Sequence, residues 1–438
     1  MTTHTDFSHL YGRLLTSQQL TESERHLATP VSSQTADGAC FRCATPFEDQ
    51  HCLPNGAFYC RACILLGRIR SDQSLYTFPQ KEFPPQTSLA WTGTLSPWQQ
   101  EVSDTLVQQV ANRLPTLVHA VTGAGKTEMV YQTLAATIDC GGAVCLASPR
   151  VDVCIELFNR LRRDFSCPIS LLHGESDPYV RSPLVIATTH QLLRFYQAFD
   201  LLLIDEVDAF PYVDNPVLYH AAKQAVKPDG VTVFLTATST PQLDRKIREG
   251  SLHRLSLPRR FHGNPLVVPK KVWCASLEKQ LAKKRLPLPV KRALLQQRQA
   301  GHPLLLFAPE IQMGERLAQV LAKYFPNENI GFVSSQTSNR LDLVEAFRKN
   351  EISILVSTTI LERGVTFPGV DVFVLDAHHR LYTSSSLIQI AGRVGRSSER
   401  PTGELLFFQE GSTRAIEQAI YTIKTMNKEA GYDHLSTL

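Results

Sequence analysis

No apolar run in this sequence approaches the roughly 20 residues that a membrane-spanning helix needs. The first residues, Met1 to Phe7, lack the charged start and apolar centre of a secretory signal. The ten cysteines are therefore expected as reduced thiols or metal ligands rather than as a disulfide framework. No strong charge of either sign is present, since 45 Lys and Arg against 41 Asp and Glu leave a net charge of +4. That balance permits nucleic-acid binding through a local patch without demanding it. At 43% apolar residues, wholesale disorder is excluded. A chain of 438 residues exceeds one ordinary core, so two or three domains are expected.

The stretch Ala120 to Thr127 reads AVTGAGKT. An apolar run before it, Thr116 to Val121, suits a buried strand, and Glu128 to Ala136 after it suits a helix. That is the setting of a phosphate-binding loop. Gly123 and Gly125 let the backbone curl, so that successive N–H groups from Thr122 through Ala124 point at an anion. Lys126 is placed to reach the β- and γ-phosphates of a nucleotide, and the Thr127 hydroxyl to ligate Mg²⁺. Upstream, Ser96 suits a helix N-cap and Pro97 the first helical position.

Further short apolar runs follow at 143–148, 169–172, 184–189, 201–204 and 231–236. Strands apolar on both faces argue for a parallel sheet covered by helices, with functional residues at the carboxyl ends. One run ends in Asp205, Glu206 and Asp208. Acids at the end of a buried strand are costly unless a cation or donor waits there. Asp205 is expected to hold Mg²⁺, and Glu206 to orient and deprotonate an attacking water. Three other runs end in Ser148-Pro-Arg150, Thr188 to Gln191 and Thr236 to Thr238. Arg150, Thr189 and Gln191 are candidates for gripping nucleic-acid phosphates, although polar strand ends also cap helices.

Residues 258–300 form the most basic stretch, with Pro interspersed, and read as a connection between domains and a nucleic-acid face. A second strand–helix alternation begins at Leu304, without a second phosphate loop. It carries Thr358 to Thr366, where Thr358 and Thr359 suit nucleic-acid phosphate contact and Gly364 faces a nucleotide cleft. It also carries QIAGRVGR, Gln389 to Arg396. Arg393 and Arg396 are expected on one face of a helix, as charge stabilisation of phosphoryl transfer requires. The two glycines weaken a helix and favour close approach to something.

Near the start, Cys40 and Cys43 pair with Cys60 and Cys63 across sixteen residues. Two C-x2-C pairs are the pattern of a structural four-cysteine zinc site that stabilises a module too small for its own core. His51 and Cys52 are alternates of poorer spacing. Arg42, Arg61, Arg68 and Arg70 surround the site, either at a phosphate backbone or in solvent.

The ordered set LSPWQ, AVTGAGKTE, SPR, TTHQL, DEVD, TAT, TTILERGVT and QIAGRVGR resembles that of superfamily 2 helicases and translocases over Leu95 to Arg396. The last two strings are similar to those of PriA and RecG helicases. The cysteine module followed by DEVDAF looks most like the ComFA family of late competence DNA-uptake ATPases, nearly throughout the chain. The resemblance implies two RecA-like α/β lobes behind an N-terminal zinc module. It implies Gln99 at adenine and Gln389, Arg393 and Arg396 as catalytic groups. It further implies ATP, Mg²⁺ and Zn²⁺ as cofactors, and single-stranded DNA as partner. A cytoplasmic location at the inner membrane face follows, beside a ComFC-like partner and a membrane channel, with room for a homo-oligomer. A PriA-like restart or repair helicase, an RNA helicase and an ATP-binding scaffold are the other readings. The expected divisions are 1–35 as an extension, 36–70 as the zinc module, 71–90 as a linker, 91–262 and 297–438 as the lobes, and 263–296 as their connection. The sequence departs from the pattern in having Pro241 rather than a proline directly after Thr238, and Thr366 where relatives are acidic.

Overall fold

The computed structural model describes residues 7–432. They form two compact units, 7–119 with 126–256, and 120–125 with 257–432.

The first unit opens with β1 (Leu14–Thr16), β2 (Thr29–Val31) and β3 (Leu75–Thr77), an antiparallel sheet in the order β1-β3-β2. The segment that holds all four paired cysteines is the connection from β2 to β3. This corrects two expectations. β1 and β2 lie in the stretch read as an extension, and β3 in the stretch read as a linker. Three-residue strands carry too little periodicity to be seen in sequence. What secures β1 and β3 is burial of Leu14, Leu15, Leu75 and Thr77, while the more exposed β2 is held by its pairing with β3.

The main sheet of this unit contains β4 (Thr116–Ala120), β5 (Val144–Ser148), β6 (Ile169–Leu172), β7 (Leu184–Thr188), β8 (Phe199–Asp205), β9 (Val226–Thr236) and β10 (His253–Leu257). Their order is β10-β4-β9-β8-β5-β7-β6. β5 and β7 are buried throughout, which is why both read as unbroken apolar runs. The register is parallel and nearly level at the carboxyl ends: His119 lies opposite Thr236, Asp205 opposite Leu235, and Ser148 opposite Thr188. The polar strand ends therefore gather along one edge of the sheet.

The second unit contains β11 (Lys270–Trp273), β12 (Leu304–Phe307), β13 (Ile330–Val333), β14 (Ile354–Ser357), β15 (Asp371–Val374) and β16 (Leu405–Gln409). Its order is β11-β16-β15-β12-β14-β13, with every pair parallel. Here too an expectation is corrected. The basic stretch 263–296 is part of the fold, because β11 pairs with β16. The helices Leu277–Ala282 and Leu288–Ala300 bury Leu277, Leu281, Val290 and Leu294. Lys283, Lys284, Arg285 and Arg292 stay exposed, so the charge marks an outer face. No helix among the described residues is long and apolar enough to cross a membrane.

Candidate nucleotide and zinc sites

β4 runs directly into the phosphate loop. Gly123 and Gly125 have φ of +80° and +73°, values that a side chain would strain. The Ala124 N–H turns back to the Val121 carbonyl at 3.2 Å. A short helix, Lys126–Met129, follows. The single helix expected over 128–136 is broken at Val130 and resumes as Tyr131–Asp139. Gln99 is buried in a capping box on the helix Pro97–Ala111. Its Oε1 accepts the Ser96 N–H at 2.9 Å, and its own N–H donates to Ser96 Oγ at 3.4 Å.

At the end of β8 the Glu206 N–H donates to Asp205 Oδ1 at 2.9 Å. Glu206 holds φ of +54°, a left-handed value that a non-glycine residue rarely adopts and that clusters at functional sites. Sequence reasoning gave no role to Asp208. Its carboxylate accepts the hydroxyls of Thr236 at 2.8 Å and Thr238 at 2.5 Å, joining the ends of β8 and β9. These hydroxyls serve the fold rather than pointing outward as phosphate grips. His119, one residue before the end of β4, was also missed. Arg254 donates to its Nδ1 at 2.7 Å, which leaves Nε2–H to donate to the Ala237 carbonyl at 3.2 Å. Burial first, then Arg254, pushes its pKa down to about 4, so the ring is neutral near pH 7.

The candidates for nucleic-acid contact divide. Arg150 is half-buried and pairs with Asp152 through two contacts at 3.2 and 3.1 Å. Thr189 and Gln191, the other two candidates, are buried in the turn Thr189–Arg194, while the neighbouring His190 is exposed. Thr358 is buried beyond β14, and Thr359 is partly exposed. Beside them, Arg363 donates to Ser385 Oγ at 3.0 Å, and Ser386 donates to Glu362. The segment carrying Gly364 is thus tied to the helix Ser384–Ala391, where Gln389 is buried.

That helix stops at Ala391, with Gly392 as its C-cap. Arg393 and Arg396 therefore lie on the following turn, not on one helical face. The reason is local: past Gly392 the bonds tighten to i→i−3, Arg393 N–H to Ile390 and Val394 N–H to Ala391, and Gly395 at φ of +68° then turns the chain away. Gly392 makes the close approach expected of it, since a side chain there would overlap Thr122 within the same unit. Arg393 is buried. Arg396 donates to the Gly392 carbonyl at 2.9 Å and to Thr366 Oγ1 at 3.2 Å. Thr366 thus receives an arginine.

In the β2–β3 connection the four cysteine sulfurs are buried and lie within 4.8 Å of one another. Neighbouring sulfurs are 3.5, 3.6 and 3.8 Å apart. A tetrahedron of Zn–S bonds of about 2.3 Å has edges of about 3.8 Å, so the set fits zinc. Hydrogen bonding among the thiols, led by that from Cys40, holds Cys43 low, while that with Cys43 pushes Cys40 up. Cys52 is exposed, and His51 lies 3.5 Å from Glu48, so neither alternate joins the cluster. Arg42 is neither at a surface nor in solvent. It is buried and donates to the carbonyls of Leu66, Gly67 and Leu14 at 3.1, 2.9 and 3.4 Å, locking the module to β1.

A strand–loop–helix phosphate cradle, acids at the end of the next strand but one in the same sheet and a second parallel-sheet unit define an ATP-hydrolysing enzyme of the helicase and translocase class. Residues 96–245 match the DEAD/DEAH box helicase family, and residues 288–398 the helicase conserved C-terminal domain. The chain is 60% identical to competence protein ComFA of Streptococcus pneumoniae over 96% of its own length and 98% of the relative's. It is 38% identical to competence protein ComFA of Bacillus subtilis, over 89% and 86% of the two chains. The chain belongs to the ComFA family. In fold it is similar to RecG bound to a three-way DNA junction, with a TM-score of 0.53 at 17% identity, covering 79% of this chain and 47% of the RecG chain.

Proposed function

We propose that this protein is a single-stranded-DNA-stimulated ATPase whose hydrolysis cycle moves it along a strand, powering import of transforming DNA across the cytoplasmic membrane. The level register of β4, β9 and β8 carries this reading. It sets the strand that feeds the phosphate loop two strand spacings, about 10 Å, from the one that ends in Asp205 and Glu206. That is room for a triphosphate and its metal.

In this reading Thr122 to Gly125 hold phosphate through backbone N–H groups. Lys126 neutralises the outer phosphates, and Thr127 and Asp205 hold Mg²⁺. Glu206 orients and deprotonates water, while Gln389, Arg393 and Arg396 complete the charge around the transferred phosphoryl group. Bound Mg²⁺ supplies charge neutralisation at the phosphate oxygens. Gln99 reaches adenine once its Oε1 leaves Ser96, and Gly364 lies along the nucleotide. Arg150, Thr358 and Thr359 grip the DNA backbone, and each cycle changes the spacing of the two lobes' grips. The protein acts in the cytoplasm at the inner face of the membrane, with a ComFC-like partner and a channel. Zinc at Cys40, Cys43, Cys60 and Cys63 fixes the N-terminal module.

ATPase assays with single-stranded DNA, duplex DNA and RNA in parallel test this. Strongest stimulation by single-stranded DNA is expected. Lys126→Ala and Glu206→Gln should each lower turnover by about 100-fold or more. Full activity in either variant, or preferential stimulation by RNA, would discard the assignment. Efficient unwinding of forked duplexes would favour a restart helicase.

A further inference from the structure

The second unit contains a buried arginine with no task in the scheme above. Arg260 is 1% exposed and lies between two glycine turns. On one side is the phosphate loop: a Cβ on Gly123 would stand 3.8 Å from both Cγ and Nε of Arg260, and the next residue, Phe261, donates its N–H to the Gly123 carbonyl at 3.1 Å. On the other side is the turn carrying Arg393 and Arg396. There Arg260 Nη1 donates to the Gly395 carbonyl at 2.5 Å, and His262 Nε2 donates to the same oxygen at 3.0 Å.

One nitrogen of the guanidinium is thus satisfied. Nε and Nη2 are buried without a hydrogen-bond partner among the described residues. No carboxylate acts on it either. Burial first, then the positive charge of Arg396, pull its pKa down to about 9. An arginine kept charged, buried and beside another arginine is unfavourable unless an anion completes it. The surface it faces is a glycine loop shaped to hold phosphate.

We propose that Arg260 is a nucleotide-contacting residue: Nε and Nη2 donate to the phosphates of the nucleotide in the loop, while Nη1 stays on Gly395. The guanidinium fork suits this division, because its donors diverge in one plane. Arg260 then joins occupancy of the loop to the position of the arginine turn. The proposal rests on the loop being the nucleotide cradle.

The test compares Arg260→Met and Arg260→Lys with the wild-type protein, using fluorescent ADP and ATP analogues for affinity and thermal denaturation with and without ADP. If Arg260 serves the nucleotide, Arg260→Met in the free protein melts at or above the wild-type temperature, since an uncompensated buried charge has gone. Its nucleotide affinity falls about ten-fold or more, with a matching loss of ADP-induced stabilisation. Arg260→Lys, which keeps the charge but not the fork, recovers part of the affinity. A lower melting temperature of the free Met variant with unchanged nucleotide affinity would make Arg260 a structural strap and overturn the proposal. So would weakened binding of single-stranded DNA without nucleotide, which would assign the phosphate to DNA. Lys126→Ala is the control. If it binds nucleotide as tightly as wild type, the cradle itself is wrong, and the proposal falls with it.

Discussion

Asp208 accepts the hydroxyl of Thr238 at 2.5 Å, across the ends of two neighbouring strands. Thr236 adds a second hydroxyl at 2.8 Å. The two threonines are not equivalent, because Thr236 Oγ1 also lies 2.7 Å from the Thr238 carbonyl and has another acceptor. Asp208→Ala therefore takes an acceptor chiefly from the buried Thr238 hydroxyl. The expected loss of stability is about 2 kcal/mol by urea denaturation. Thr238→Val on that background should cost little more, giving a coupling of about 1 kcal/mol or more in a double-mutant cycle. Additive losses would show that the contact contributes nothing beyond its two partners.

The parts of the fold readable in sequence are those that local chemistry dictates. The loop needs glycines at Gly123 and Gly125, and both adopt left-handed φ. β5 and β7 are buried on both faces, so their sequences are apolar up to a polar last residue. The two cysteine pairs announce themselves by spacing, and their sulfurs meet. The unreadable parts depend on partners far along the chain. β1 to β3 are held by pairing across some sixty residues, and β11 by pairing with β16, nowhere visible in a window of ten. Arg393 and Arg396 have a spacing that suits a helical face, but the helix ends at the Gly392 C-cap before either arginine. His119 sits in an apolar run as an ordinary strand residue. Only the fold brings Arg254 to its Nδ1.

His119 gives the first unit a dependence on pH. Its folded pKa of about 4 lies below the ordinary value of 6.5, so between these values the unfolded chain binds the extra proton. Stability from this site is fully present above about pH 6.5 and is lost as pH falls towards about 4. Lys126 and Arg254 oppose the protonated ring and Asp244 favours it. Urea midpoints measured between pH 7 and pH 4 should fall more steeply for the wild-type protein than for His119→Gln, which cannot take up the proton. The two profiles should converge towards the acid end. Parallel profiles would mean that the ring titrates alike in the folded and unfolded chain.

The zinc module offers the sharpest separation of fold from catalysis. Its connection from β2 to β3 buries four cysteines, Ile69 and the Arg42 side chain, with little other core. Four thiols brought this close without metal must share protons, whereas zinc replaces those protons and fixes the tetrahedron. Cys40→Ser should lower bound zinc from about one ion per chain to near zero, because three sulfurs and a hydroxyl hold the ion far more weakly. Arg42 then loses the turn between Cys40 and Cys43 that positions it, and the carbonyls of Leu66, Gly67 and Leu14 lose their donor. Limited proteolysis should cut the variant between residues 33 and 71 while leaving a protected fragment from the helix Pro97–Ala111 onward. The cysteines pack into one core with Leu117, Cys145 and Val185 of the main sheet, so that fragment should keep nucleotide binding but melt at a lower temperature. Full zinc content in Cys40→Ser, or a resistant 33–71 segment without metal, would show that the module folds on its contacts with the first unit alone.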